Sequence, residues 1–186
     1  MRGALGLLAF LAAAAAELSA TDALKARDAE VRAQLPPPGA ALTPELREKL
    51  QNTLTKAVDI EGMAKAALGK HWNEQPAAKR KKFTRAFLGR FKRVSGDQLD
   101  SYRSSKTEFQ PEERLDDGTV RVPTRLVVKG EPTNVIYVMR RQGKDWKIID
   151  IIVDDVSTVE NYRSSFSKII AKEGFDGLIA RLSKSG

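Results

Sequence analysis

No cysteine occurs anywhere in the sequence, and there is a single histidine, His71. The first absence excludes a disulfide scaffold, a thiol nucleophile and a cysteine-ligated metal. The second excludes a histidine-rich zinc site and rests any histidine-based triad on one residue. Nucleotide-binding glycine patterns are missing too. Gly69-Lys70 lacks both the upstream glycine and the following hydroxyl of a phosphate loop, and no strand is followed by Gly-x-Gly-x-x-Gly or Gly-x-Ser-x-Gly. Acidic residues are absent between Lys79 and Arg93, where eight basic residues fall; the remaining 24 Lys and Arg are matched by 24 Asp and Glu. The net charge of +8 is therefore one local patch. Long uncharged runs are absent after the first twenty residues, so no later segment suits a membrane span.

What is present begins with an address. Met1-Arg2 precedes an uncharged run from Gly3 to Ala16, about 14 residues, followed by small residues. One positive charge, a short apolar stretch and a small-residue site predict a secretory signal peptide over 1–20, cleaved after Ala16 or Ala20. Residues 21–186 then form one domain, with 41% apolar and 30% charged residues as expected of a globular chain.

Helical periodicity comes first. A weak pattern from Leu24 to Leu35 is broken by Pro36-Pro37-Pro38-Gly39. Thr43-Pro44-Glu45 starts a helix with a hydroxyl cap and a proline in the first turn, and Leu46, Leu50, Leu54 and Val58 make its stripe. Asp59 caps a second helix, which Gly69 closes in a left-handed conformation. A third starts near Pro76 with Phe83, Phe87 and Phe91 on one side, and Gly96 interrupts it before Leu99 and Tyr102.

Beyond about residue 106 the period becomes two. Val120, Val122, Thr124, Leu126 and Val128 alternate with Thr119, Arg121, Pro123, Arg125 and Lys129, Val127 being the exception, and predict a strand that Pro123 makes an edge or a bulge. Strands Thr133–Arg141 and Asp145–Asp154 follow through Gly130 and Gly143 turns, antiparallel to their neighbours. In the last, Ile149, Ile151 and Val153 point one way and Trp146, Ile148, Asp150 and Ile152 the other. Two apolar stripes, Val159 to Ile170 and Phe175 to Leu182, flank Gly174 and end the chain in helices. The fold class is α+β: a curved antiparallel meander flanked by N-terminal and C-terminal helices.

Asp150 stands in an apolar strand and needs a partner, for which Arg163 is available. Asp116-Asp117 and Asp154-Asp155 read as solvated turns, and His71 beside Trp72 as structural. A small enzyme using Asp150, Tyr137 or His71 as acid or base, and an adaptor binding a membrane complex through its basic helix, are the competing readings.

The junction Trp146-Lys147-Ile148-Ile149-Asp150, Val153-Asp154-Asp155-Val156-Ser157, Asn161-Tyr162-Arg163 and Phe166 resembles the C-terminal signature of the MlaC family of periplasmic phospholipid-binding proteins, also called toluene-tolerance auxiliary proteins. Asp59-Ile60, Leu68-Gly69-Lys70-His71-Trp72, Phe83, Phe87 and Tyr137-Val138 resemble its other segments, in order, from about Leu24 to Leu182. Asp155 departs from it, standing where the family usually has glycine. Ile149 stands where an aromatic is frequent, and Ser95-Gly96 lacks a common aromatic.

The resemblance implies a soluble periplasmic carrier that is no enzyme and needs no cofactor or metal. Its acyl chains would sit in an apolar cavity between sheet and helices. Its partners would be phospholipid, an inner-membrane ABC transporter complex with a membrane-anchored substrate-binding subunit, and an outer-membrane lipoprotein complex. No nucleic acid is expected, and the carrier would act as a monomer. Two acyl chains hold about thirty methylenes, whose exposure costs roughly 24 kcal/mol gross, so the wall must be dry. The candidate wall comprises Phe87, Phe91, Leu99, Tyr102, Val122, Leu126, Val135, Tyr137, Met139, Ile149, Ile151, Val153, Tyr162 and Phe166. Lys79, Arg80, Lys82, Arg85 and Arg93 are the candidate docking residues for a partner or membrane.

Overall fold

The computed structural model describes residues 18–37 and 40–184. The predicted leader lies outside them as far as residue 17. Helix α1 (Ala20–Gln34) starts on Ser19, whose hydroxyl accepts from the Asp22 amide at 3.0 Å. Helix α2 (Pro44–Lys56) starts as its sequence requires, with Thr43 Oγ1 accepting from the Leu46 amide and Pro44 in the first turn. Asp59 caps α3 (Ile60–Leu68) by accepting from the Gly62 amide at 2.8 Å. Gly69 ends α3 at φ 54° and ψ −127°, a combination open only to glycine, and turns the chain into a 3-10 turn over Gly69–Trp72.

Helix α4 (Ala77–Asp97) corrects the reading of Gly96 as an interruption: the helix runs through it. The glycine is needed for close approach instead. A Cβ there would stand 2.3 Å from Gln51 Nε2 of α2, and the Gly96 carbonyl accepts from Arg47. The short α5 (Leu99–Arg103) then leads into the sheet.

Six strands form that sheet: β1 (Ser105–Phe109), β2 (Glu113–Arg114), β3 (Val120–Val128), β4 (Glu131–Gln142), β5 (Asp145–Val153) and β6 (Val156–Ser157). Their order is β1-β3-β4-β5-β6, every pairing is antiparallel, and β2 also pairs with β3. The three strands expected from periodicity are its centre. β1, β2 and β6 escaped because they are too short, or too polar on both faces, to carry a period-two apolar signal.

Pro123 is not on an edge, because β3 is paired on both sides. The strand beside it is interrupted between Phe109 and Glu113, opposite the one residue with no amide to donate. Pro123 still uses its carbonyl on that side, accepting from the Gln110 amide at 2.9 Å. The facing of β5 also needs correction. A bulge sets Val138 opposite Asp150 and Met139 opposite Ile148, so Ile149 is the additional residue. Trp146 and Ile148 therefore share the face of Ile151 and Val153, while Asp150 and Ile152 lie on the other. The extra residue flips every side chain on one side of it.

Helix α6 (Thr158–Lys184) is kinked at Gly174, φ 74°, between its two predicted stripes. Asp154 and Asp155 form the turn from β5 to β6 with φ of 44° and 66°. An L-residue at positive φ is strained, aspartate less than most, and glycine not at all. Asp155→Gly should stabilise the protein by about 0.5–1 kcal/mol, raising the melting temperature by roughly 1–4 °C. A melting temperature lower than that of the wild type in calorimetry would refute the strain.

Candidate functional site

Register decides which predicted wall residues meet. On one face of the sheet, Val122, Tyr137 and Ile151 stand side by side, as do Thr124, Val135 and Val153. Leu126, one step along β3, lies diagonal to Val135, and Met139 closes the row with Val120 and Ile148. Thr124 brings a hydroxyl into this apolar face but donates it to the Val135 carbonyl at 2.8 Å, so the wall stays dry.

Two separate apolar clusters pack around this face. The larger joins Phe83 and Phe87 of α4, Phe166 and Phe175 of α6, the buried side of α3, and Val120, Val122, Met139 and Ile148 of the sheet. Tyr162, Phe91, Tyr137 and Ile151 border it. Its aromatic centre has Phe83 stacked on Phe87 at 6.0 Å and edge-on to Phe166 at 5.7 Å, and Tyr162 over Phe166 at 5.2 Å. The smaller cluster is Val31, Leu50 and Leu99, bordered by Leu46, Leu54 and Tyr102, between α1, α2 and α5. Leu99 and Tyr102 thus fall in a different cluster from the other wall candidates. Val135 is 7% exposed yet belongs to neither cluster, nor do Leu126 and Val153, the latter 40% exposed. The far end of the inner sheet face is an apolar surface that the core does not claim. Ile149 is half-buried and outside both clusters as well.

Helix α1 is laid along β1 by polar contacts that sequence reading missed. The Thr21 amide and hydroxyl both donate to Glu112 at 3.0 Å, and Lys25 sits over the Phe109 ring. Asp28 accepts from Arg32 Nε at 2.8 Å, from Thr107 Oγ1 and from the Tyr102 hydroxyl. Arg32 donates to the Ser105 carbonyl and to Thr107, and its guanidinium covers the Tyr102 ring at 4.5 Å. Burial first, then the Asp28 hydrogen bond, push the Tyr102 phenol above its ordinary range. Burial, with the Asp28 charge second, pushes Tyr137 up to about 12. Both phenols are therefore protonated at neutral pH, and Tyr137 is no ready base. The signal available in the sequence was the Asp28/Arg32 spacing of four, the distance of a helical ion pair.

The other candidates for acid–base chemistry are committed elsewhere. Asp150 accepts from the Ile151 amide at 2.8 Å, the Ser157 hydroxyl at 2.6 Å and the Val159 amide at 3.1 Å, which ties β5 to the start of α6. Arg163 is not its partner: it pairs with Glu160 at 2.7 Å and donates to the Ala66 carbonyl. Val159 and its amide lie nearer to the carboxylate because β6 turns α6 back onto the bulge. His71 faces Glu74 at 2.7 Å, in the turn after α3. Among the described residues no cluster of His, Asp or Glu could hold a metal ion, and no helix is long and apolar enough to cross a membrane.

Two surface grooves lie elsewhere. One, of about 490 Å³, runs between α1 and α2 and is lined by polar residues such as Glu30, Glu48 and Lys56. The other, of about 420 Å³, lies between α4 and the second half of α6, with Lys82, Arg85 and Arg93 on its wall. Neither is lined by a sheet residue.

Comparison with known proteins agrees with the geometry. The family model for the MlaC protein matches residues 29–184. The intermembrane phospholipid transport system binding protein MlaC of Haemophilus influenzae is 25% identical over 145 residues, covering 75% of this chain and 68% of the relative. A phospholipid-binding protein from Ralstonia solanacearum, solved in complex with a phospholipid, superposes with a TM-score of 0.77 at 22% identity, covering 90% of this chain and 96% of that one. That likeness establishes the mixed helical and antiparallel-sheet fold.

Proposed function

The chain belongs to the MlaC family, and from that membership we propose that it is a soluble periplasmic carrier that shelters phospholipid acyl chains on the inner face of its sheet and moves lipid between membrane components. The observation that carries this reading is the apolar stretch of sheet face made by Leu126, Val135 and Val153, which belongs to neither cluster and runs on to Tyr137 and Ile151. A lipid-sized hollow needs several hundred Å³. Making that space over this face requires α1 and α2 to move, which draws Ala20 and Leu24 of α1 out of the larger cluster while the phenylalanine centre, on α4 and α6, stays packed. The polar contacts of α1 with β1 suit such a movement, because they can be exchanged for water at little net cost.

The lipid would be held by area, so headgroup chemistry would matter little. The sequence carries no nucleotide-binding motif, so release falls to a partner that offers a better apolar path: an inner-membrane ABC transporter complex with its membrane-anchored subunit on one side, an outer-membrane lipoprotein complex on the other. Native mass spectrometry of the protein purified from exporting cells is expected to show an added mass equal to one diacyl phospholipid. Protein recovered only at its bare polypeptide mass, under conditions that keep lipid on other carriers, refutes the reading.

Export carries its own prediction. The Leu18 carbonyl accepts from Trp146 Nε1 at 2.9 Å, Ser19 caps α1, and Ala20 is fully buried. Leader removal after Ala16 keeps all three, whereas removal after Ala20 discards a cap worth about 1 kcal/mol. Amino-terminal sequencing of exported protein should begin at Glu17. A start at Thr21 would overturn this assignment.

A further inference from the structure

The structure separates the five candidate docking cations into two groups. Lys79 and Arg80 turn in on the molecule: Lys79 Nζ pairs with Asp176 of α6 at 2.8 Å, and the Arg80 guanidinium lies over the Trp72 ring at 5.6 Å. Lys82, Arg85 and Arg93 share the groove of about 420 Å³ between α4 and the second half of α6, over an apolar floor of Ala86, Ile179 and Leu182.

The groove keeps its positive charge because nearby acids on α6 are already engaged. Glu173 is paired with Arg181, and Asp176 is hydrogen-bonded by Lys79 at 2.8 Å, with Lys82 close enough only to add a weaker attraction. Lys82 and Arg85 are exposed, with no carboxylate at ion-pair distance among the described residues. Arg93 is fixed by donating to the Leu182 carbonyl, yet its Nε is buried without an acceptor. Arg93 therefore adds its positive charge to the groove wall from a fixed position.

We propose that this groove is a second lipid contact, one that seats the phosphate of an anionic bilayer lipid and docks the protein on a membrane surface. Phosphate oxygens match the forked donors of Arg85 and the charges of Lys82 and Arg93, and the glycerol and first acyl carbons match the floor. The size of the groove favours a headgroup over a protein partner: a helix is about 10–12 Å across with its side chains, and several turns of it exceed this space. The inference goes beyond the carrier reading and does not depend on it, because docking requires nothing of the inner sheet face.

The test is cosedimentation of the exported protein with vesicles of phosphatidylcholine alone and of phosphatidylcholine mixed equally with phosphatidylglycerol. Binding to the neutral vesicles sets the apolar baseline. Wild type is expected to partition at least about tenfold better onto the anionic vesicles at low salt, with the difference lost in high salt. K82E/R85E, on an exposed face, should keep its circular dichroism and lose about tenfold or more of that partitioning. R114E/R125E makes the same change in net charge on β2 and β3 and should lose less than about threefold if the groove, and not the overall charge, does the docking. Equal losses in the two double variants, or wild-type binding to polyglutamate and not to anionic vesicles, would overturn the proposal. A protein that docks but carries no lipid mass would refute only the carrier reading.

Discussion

Val153→Asp should yield a folded protein that retains no phospholipid. Val153 stands beside Val135 on the inner face and is 40% exposed, so a carboxylate there keeps its hydration in the lipid-free protein. The folding cost should stay within about 1 kcal/mol, the span of strand propensities. Once acyl chains cover the same surface, the carboxylate must be desolvated against hydrocarbon, which costs several kcal/mol. A penalty of about 3 kcal/mol is roughly a hundredfold in affinity, enough to lose the ligand during purification. Ile136→Asp is the matched control. Ile136 pairs with Pro123 and Ile152 on the opposite face of the same sheet, and lipid should remain. Native mass spectrometry of the two variants decides the matter. Lipid kept by Val153→Asp, or lost equally from both, would remove the inner face from the binding surface.

The largest effect on stability is expected at Phe83. Its ring is fully buried and lies within 6.0 Å, centroid to centroid, of Phe87, Phe166 and Phe175, so it joins α4 to both halves of α6. Phe83→Ala should cost about 3–5 kcal/mol, because the transfer free energy is lost and the cavity left between two long helices cannot close. At roughly 2–4 °C per kcal/mol for a chain of this size, the melting temperature should fall by about 6–20 °C. A fall of less than about 2 °C would mean that the aromatic centre is not what holds the helices together. This cluster is separate from the surface of Leu126, Val135 and Val153, so the two substitutions should act independently.

Much of the framework was readable from residue patterns. Thr43, Asp59 and Gly69 mark helix ends because capping is a local transaction between a side chain and amides three residues away. The Phe83/Phe87 stripe and the Val120-to-Val128 alternation are local periodicities, and the structure keeps both. Misreadings arose where a local rule met a distant partner. Gly96 looked like a break, and became a contact only because Gln51 of α2 passes over it. Pro123 read as an edge or a bulge; it lies inside the sheet, and only the pairing irregularity holds, because the neighbouring strand pauses opposite it. Asp150 seemed to want Arg163 across the chain, and instead closes on Ser157 and Val159.

By itself the sequence determined the order of helices, central meander and closing helices, the absence of cysteine and nucleotide-loop chemistry, and the basic run on one helix, since each of these depends only on residue type and spacing. Tertiary structure alone decided which strand faces look inward, because one bulged residue at Ile149 reverses the facing of β5. It also decided which cations remain available, because Lys79 and Arg80 are occupied by groups from other elements while Lys82, Arg85 and Arg93 are gathered around a single groove. The physical reason is common to both. Facing and availability depend on groups far apart along the chain, whose positions are set by packing and not by any neighbour's identity.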